Sequence, residues 1–206
     1  MERYKYFENL KSLDDFAKDL IIREIGEGKE GTAYLIKNNL VLKMLDGYCE
    51  PYILDSKKDS IIMQQDCDVS SFLFPKQLLI SYERVQGYIM DYFPNNILLY
   101  ADPYNGNIND IDFDILLRAR EQMIKDTIKL TDNKIAIGDL TFNLLFDNSR
   151  FGAIDTLDYK KDTNVTLEDN IKKIDEAILT ELHYHDVKFI PNYDKSIEYN
   201  LKRTKK

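Results

Sequence analysis

Residues 20–45 constrain the fold more than any other stretch of the chain. They read LIIREI, then GEGKEG, then TAYLIK, then Asn38-Asn39, then LVLKML. Apolar and β-branched residues alternate at period two around a glycine-rich segment and a two-residue turn, which predicts a strand, a loop and a β-hairpin. An isolated hairpin is marginal in water, so these strands need a larger sheet and a layer that buries one face. The run KQLLISYERVQGYIMDYF, opened by Phe74-Pro75, extends the pattern with two more strands around a turn near Tyr82-Glu83-Arg84. An antiparallel sheet of about five strands is expected over residues 1–93.

Helical spacing takes over outside the sheet. Ser12 with Asp15 and the set Leu13, Phe16, Ala17 and Leu20 predicts a short capped accessory helix before the first strand. A modest helix is expected between Asp55 and Cys67, and residues 94–110, with Pro103, Gly106 and several Asn, predict an irregular connection. Phe113, Leu116, Met123, Thr127 and Leu130 then recur at helical spacing, with Leu117, Ile124 and Ile128 widening the stripe. The short apolar runs IAIGDL, NLLF and FGAID, broken by Asp147-Asn148-Ser149, predict a small hairpin. Thr166 with Asp169 reads as a capping box ahead of a helix carrying Leu167, Ile171, Ile174, Ile178 and Leu182. The expected class is α+β, with a sheet-rich part at 1–93 and, at 94–206, a connection and a small helical part.

Composition narrows the function. Lys and Arg number 28 against 36 Asp and Glu, a formal net charge of −8, which disfavours a nucleic-acid backbone as the partner. Cys49 and Cys67 have no metal-ligand spacing and could form at most one bridge, so a reducing, cytosolic setting is expected. The N-terminus MERYKYFENLKSLDD has no signal-peptide apolar region, and no stretch is apolar enough to span a bilayer, so no membrane is expected as partner.

Three groups of residues carry chemistry. Gly26, Gly28 and Gly31 form G-x-G-x-x-G, a spacing that lets backbone N–H groups approach phosphates. A hairpin pattern follows it in place of a helix, which argues against a dinucleotide fingerprint. Lys43 lies in Val41-Leu42-Lys43, on the second strand after the loop, where a snorkelling edge-strand lysine is the bland reading. Ile137-Gly138-Asp139-Leu140-Thr141-Phe142-Asn143-Leu144-Leu145 precedes Ala153-Ile154-Asp155. Taken singly, Asp139 and Asn143 are turn residues and Asp155 ends a strand.

In order, with Met90-Asp91-Tyr92-Phe93 between them, these segments resemble the protein-kinase-like superfamily over residues 21–159, nearer its small bacterial branches. The resemblance implies a strand-rich N-lobe, a reduced helical C-lobe and MgATP in the cleft. It implies Gly26, Gly28, Gly31 and Lys43 on the phosphates, the backbone of Asp91 and Phe93 facing adenine behind Met90, Asn143 and Asp155 holding Mg²⁺, and Asp139 orienting a hydroxyl acceptor on a protein or small molecule. Several features depart from the pattern. Asn143 follows Asp139 by four positions where five is usual, so the loop must be tightened. Gly138 replaces the arginine that reads a phosphorylated activation loop. Asp155-Thr156-Leu157 replaces D-F-G, and about 50 residues remain after it, too few for the usual peptide platform. The acid expected to pair with Lys43 is Asp59, with Asp55 and Gln64 behind it. A pseudokinase that binds nucleotide or a protein without turnover is the alternative, and transfer of the nucleotide instead of the γ-phosphate a third reading. These motifs specify neither the acceptor nor the oligomeric state.

Overall fold

The computed structural model describes residues 2–46, 66–93, 97–98 and 113–184. The chain opens with β1 (Tyr4–Phe7) and α1 (Leu10–Leu20), followed by β2 (Ile21–Gly28), β3 (Gly31–Ile36), β4 (Leu40–Leu45), β5 (Gln77–Ser81) and β6 (Arg84–Asp91). These six strands form one sheet in the order β1-β5-β6-β4-β3-β2. The antiparallel sheet expected from the sequence is in fact mixed. β1 was not anticipated, and it lies parallel to β5, with Tyr4 opposite Leu78. Two bonds beyond the ladder hold this edge, from Leu78 N–H to Arg3 O at 2.9 Å and from the Gln77 side-chain amide to Glu2 O at 2.6 Å.

The hairpins follow the alternation with small changes. Asn38 and Asn39 both take positive φ, 65° and 54°, which asparagine tolerates, but Ile36 pairs with Leu40, so Lys37 leaves the strand and joins the turn. Tyr82 and Glu83 form the β5–β6 turn with φ of 51° and 58°. The N-cap of α1 is Asn9 and not Ser12. Asn9 Oδ1 accepts from Ser12 N–H at 2.9 Å, and Ser12 Oγ, at the third helical position, accepts from Asn9 N–H at 3.4 Å. The capping box is present one turn earlier than expected, because Asn is at least as good an acceptor there as Ser.

The two faces of the sheet differ. Leu13 and Ala17 of α1 pack on Ile36, Leu42, Leu79 and Ile89, with Leu40 and Met44 at the margin. Lys43 alternates with Leu42 and Met44 and therefore points to the opposite face. Cross-strand pairs place Gly26, Ala33, Lys43, Tyr88 and Leu78 in one row on that face.

The chain divides into two compact units, Met1–Asp66 with Phe74–Tyr92, and Cys67–Leu73 with Phe93–Lys206. The second contains β7 (Ile97–Leu98), α2 (Phe113–Asp132), β8 (Ile135–Ala136), β9 (Leu144–Phe146), β10 (Phe151–Ala153), a 3₁₀ turn (Thr156–Asp158), β11 (Lys160–Lys161) and α3 (Leu167–Tyr184). Strands β9 and β10 make the expected hairpin, joined by β7 on the β9 side, and β11 pairs antiparallel with β8. Residues 71–73 lie beside β10, with Leu73 N–H bonded to Ala153 O at 2.9 Å and Ala153 N–H to Ser71 O at 2.8 Å.

On α2 the buried stripe is Leu116, Ala119, Met123, Asp126, Thr127 and Leu130, whereas Ile128, expected to widen it, is 40% exposed. The stripe turns toward Asp126 because its buried carboxylate caps the 70–71 backbone, accepting from Ser70 N–H at 2.9 Å and Ser71 N–H at 2.8 Å. A bidentate pair, Arg120 to Asp175 at 2.8 and 2.9 Å, ties α2 to α3, and Thr166 and Asp169 cap α3 as expected. The helix expected over 55–67 and the connection at 94–110 lie almost wholly outside the described residues.

The glycines of the first hairpin have unequal structural roles. Gly31 has φ of +143°, and a Cβ there would collide with the Met44 carbonyl, whereas a Cβ on Gly26 would meet nothing within 4 Å. We expect Gly31→Ala to cost roughly 3 kcal/mol by strain and backbone collision, and Gly26→Ala to stay within about 0.5 kcal/mol. Urea denaturation of both variants checks this, and equal losses would contradict it.

Candidate functional site

The expected site residues fall into two groups, one in each unit. In the first unit the glycine segment is a tight hairpin: Gly28 pairs with Gly31 across Lys29-Glu30, and a bulge between Glu24 and Gly26 precedes it. Lys43 lies two strands from Gly26 on the same face, with its side chain 14% exposed, 6.0 Å from the Tyr88 ring centroid and 3.7 Å from the Glu30 carboxylate. Glu30, at the tip of the glycine hairpin, is an acid that the sequence reading did not nominate. Asp55, Asp59 and Gln64 lie outside the described residues. At 52% side-chain exposure for Glu30, this pair contributes little stability, and its consequence is to draw the ammonium toward the hairpin.

Met90 is buried opposite Val41, on the Lys43 face. Asp91 ends β6 and pairs with Lys76 at 2.6 Å, and Tyr92 N–H donates to Asn39 O at 3.0 Å. Phe93, the first residue after the crossing into the second unit, is buried, with Arg150 Cζ 5.0 Å from its ring centroid and Gly152 leaving the room its ring needs.

In the second unit the β9–β10 ladder brings Asn143 against Ile154, the residue before Asp155. Leu144 pairs with Ala153, and one step beyond the ladder Ile154 N–H donates to Asn143 O at 2.9 Å. Asn143 thus stands across from Ile154, next to Asp155. Asp139 precedes them in a tight loop: its Oδ1 accepts from Thr141 N–H at 2.9 Å, and Asn143 N–H donates to Leu140 O at 3.0 Å. Within this loop Phe142 takes a φ of 62° and is 49% exposed. Asp155 also lies in the left-handed region, φ 57° and ψ 51°, as the N-cap of the 3₁₀ turn, where its side chain makes no capping bond. Between residues 142 and 155 three non-glycine residues take positive φ, Phe142, Asn148 and Asp155; Asn and Asp tolerate this region, so the strain is concentrated at Phe142.

The sequence reading missed two groups that hold this loop. Asp158 Oδ2 accepts from Asp139 N–H at 2.6 Å. Asn170, buried on α3, accepts from Ile137 N–H at 2.9 Å and donates to Ile135 O at 3.0 Å and Thr131 Oγ1 at 2.9 Å. A signal existed for Asn170, a polar residue four before Ile174 and eight before Ile178 on the apolar stripe. Burial pushes the Asp158 carboxyl above its ordinary range, and the charges of Asp155 and Asp139 push the same way, against the Asp139 N–H bond. The buried Tyr159 phenol is pushed well up by burial first and then by these three carboxylates.

Among the described residues no group of three or more His, Cys, Asp or Glu is gathered so as to hold a metal ion by itself. Asp155 and Asn143 offer one carboxylate and one amide oxygen, hard donors that suit Mg²⁺ when substrate phosphates complete its shell. No helix among the described residues is long and apolar enough to cross a membrane. Comparison with protein-family models and with curated proteins gives no match.

Thr156, next to Asp155, is 1% exposed, and its Oγ1 has no hydrogen-bond partner. Removing an unsatisfied buried hydroxyl relieves its desolvation cost, so Thr156→Val should stabilise the protein by about 1 kcal/mol. Urea denaturation measures this, and a loss of stability would show that the hydroxyl has an unrecognised acceptor.

Proposed function

We propose that the protein is an ATP-dependent phosphotransferase that moves the γ-phosphoryl group of MgATP to a hydroxyl acceptor on a protein or small molecule. The observation that carries this reading is the backbone bond from Ile154 N–H to Asn143 O, which holds Asn143, four residues after Asp139, against the residue that precedes Asp155. Phosphoryl transfer asks for that set and little covalent chemistry beyond it.

Each residue then has a role. Gly26 and Gly28 present backbone with no side chain in the way, and nothing in the packing around Gly26 requires a glycine there, which supports close approach by a ligand. Lys43, on the same face, supplies the cation for the phosphates. Asn143 and Asp155 hold Mg²⁺, which when bound neutralises charge on the phosphate oxygens. Asp139 keeps one carboxylate oxygen on Thr141 N–H and directs the other to the acceptor hydroxyl, orienting it and receiving its proton as the new P–O bond forms.

One observation favours the non-catalytic alternative: Asp139 Oδ1 is engaged as in an ordinary Asx turn, which a nucleotide-binding module would also tolerate. Labelled ATP separates the readings. Transfer of γ-label to the protein or to an offered alcohol supports a kinase, transfer of α-label supports nucleotidyl transfer, and tight binding without transfer supports the alternative. For a kinase, Asp139→Asn should leave ATP affinity nearly unchanged and cut turnover by roughly a hundred to several thousand fold, whereas Lys43→Met should weaken both. An Asp139→Asn variant that turns over at the wild-type rate contradicts the assignment.

A further inference from the structure

Gly138 occupies the position where the family resemblance leads one to expect an arginine, and the space that side chain would need is filled from within the chain. A Cβ on Gly138 would collide with both carboxylate oxygens of Asp158. The same carboxylate accepts from the N–H of the next residue, Asp139, at 2.6 Å, a charge-assisted bond in length and partners. Asp158 comes from the 3₁₀ turn that begins at Asp155. Just beyond it, Lys160 and Lys161 pair with Ala136 and Ile135, so residues 155–161 run alongside residues 135–139 and are fastened to them at two points. Strand pairing alone leaves Gly138 and Asp139 outside the ladder, and Asp158 closes that gap.

We propose that Asp158 is a positioning residue that locks the loop bearing Asp139 to the segment bearing Asp155, and that Gly138 is glycine to admit it. The lock sets Asp139 through its backbone amide, while the Asp158 carboxylate takes no part in bond making. Held by a residue fixed in the chain, the two loops keep their relation without a phosphorylated side chain. Burial, and after it the like charges of Asp155 and Asp139, work against the ionised Asp158 carboxylate, while its bond from Asp139 N–H favours it.

The test uses the full chain in four forms: Asp158→Asn, Asp158→Ala, Gly138→Ala and the Gly138→Ala/Asp158→Ala double variant. Asn keeps an acceptor oxygen for Asp139 N–H, and Ala removes it. Gly138→Ala drives the carboxylate aside, which a short side-chain end permits without unfolding. Amide hydrogen exchange at residues 138–140 reads the lock directly. Asp158→Ala and Gly138→Ala should each speed exchange about tenfold, Asp158→Asn should stay within about threefold of wild type, and the double variant should be no worse than either single one. The kinetic consequence rests on the phosphotransferase reading: turnover should fall about tenfold in the two alanine variants at unchanged ATP affinity and be retained in Asp158→Asn. Additive losses in the double variant, an Asp158→Asn that behaves like Asp158→Ala, or unchanged exchange in Asp158→Ala would overturn the proposal. A wild type without turnover but with this exchange pattern would sink the phosphotransferase reading and leave the lock standing.

Discussion

A three-residue ladder on each side of a tight turn holds the second unit's chemistry together. β9 and β10 are entirely buried, and their register fixes which polar residues emerge at the open end. Because antiparallel pairing moves one residue back on one strand for each residue forward on the other, Leu144 opposite Ala153 puts Asn143 opposite Ile154. A slip of one residue would send both side chains elsewhere. The turn at the closed end guards against that slip: Asp147 Oδ1 accepts from Ser149 N–H and Arg150 N–H, both at 2.9 Å. These bonds and the Ser149 hydroxyl hold the Asp147 carboxyl below its usual range although burial opposes them.

In the first unit the governing constraint is two-sidedness. A helix covers one face of the sheet, so every second residue of β4 is committed to a hydrophobic core, and Lys43 is left for the other face. A lysine placed there with 14% side-chain exposure retains little water, and the Glu30 carboxylate and the Tyr88 ring stand within reach of its ammonium. The long exposed strand β2 at the sheet edge carries two register shifts, which make it a poor template for pairing with another chain.

Much of this was legible in the sequence, for identifiable reasons. Period-two alternation gave β2 to β6, because each strand has one committed face, and helical spacing gave α2 and α3 from Leu116, Met123, Ile174 and Ile178. The β9–β10 hairpin followed from its turn residues. β1 was not legible, since four residues of Tyr, Lys and Phe carry no period strong enough to announce a parallel edge pairing with Leu78 to Ser81. Asn9 was overlooked in favour of Ser12 because both belong to one capping box and the periodicity starts ambiguously between them. In the site, Asp139, Asn143 and Asp155 could be picked from order and spacing. Asp158 could not, because its role depends on a glycine twenty residues earlier making room for it, a contact that exists only after folding. Asp126 and Asn170 share one readable mark, a polar residue seated on an apolar stripe, which a stricter reading of helical position would have flagged.

The most direct measurement of the central claim, that Asp155 and Asn143 join Mg²⁺ to nucleotide phosphates, is thermal melting with Mg²⁺, with ATP and with both. A metal that bridges protein and phosphate couples the two ligands, so together they should raise Tm by more than the sum of their separate effects. Asp155→Asn should fold normally and lose the excess. If wild type shows no excess, or if Asp155→Asn keeps it undiminished, Asp155 is the end of a strand and nothing more.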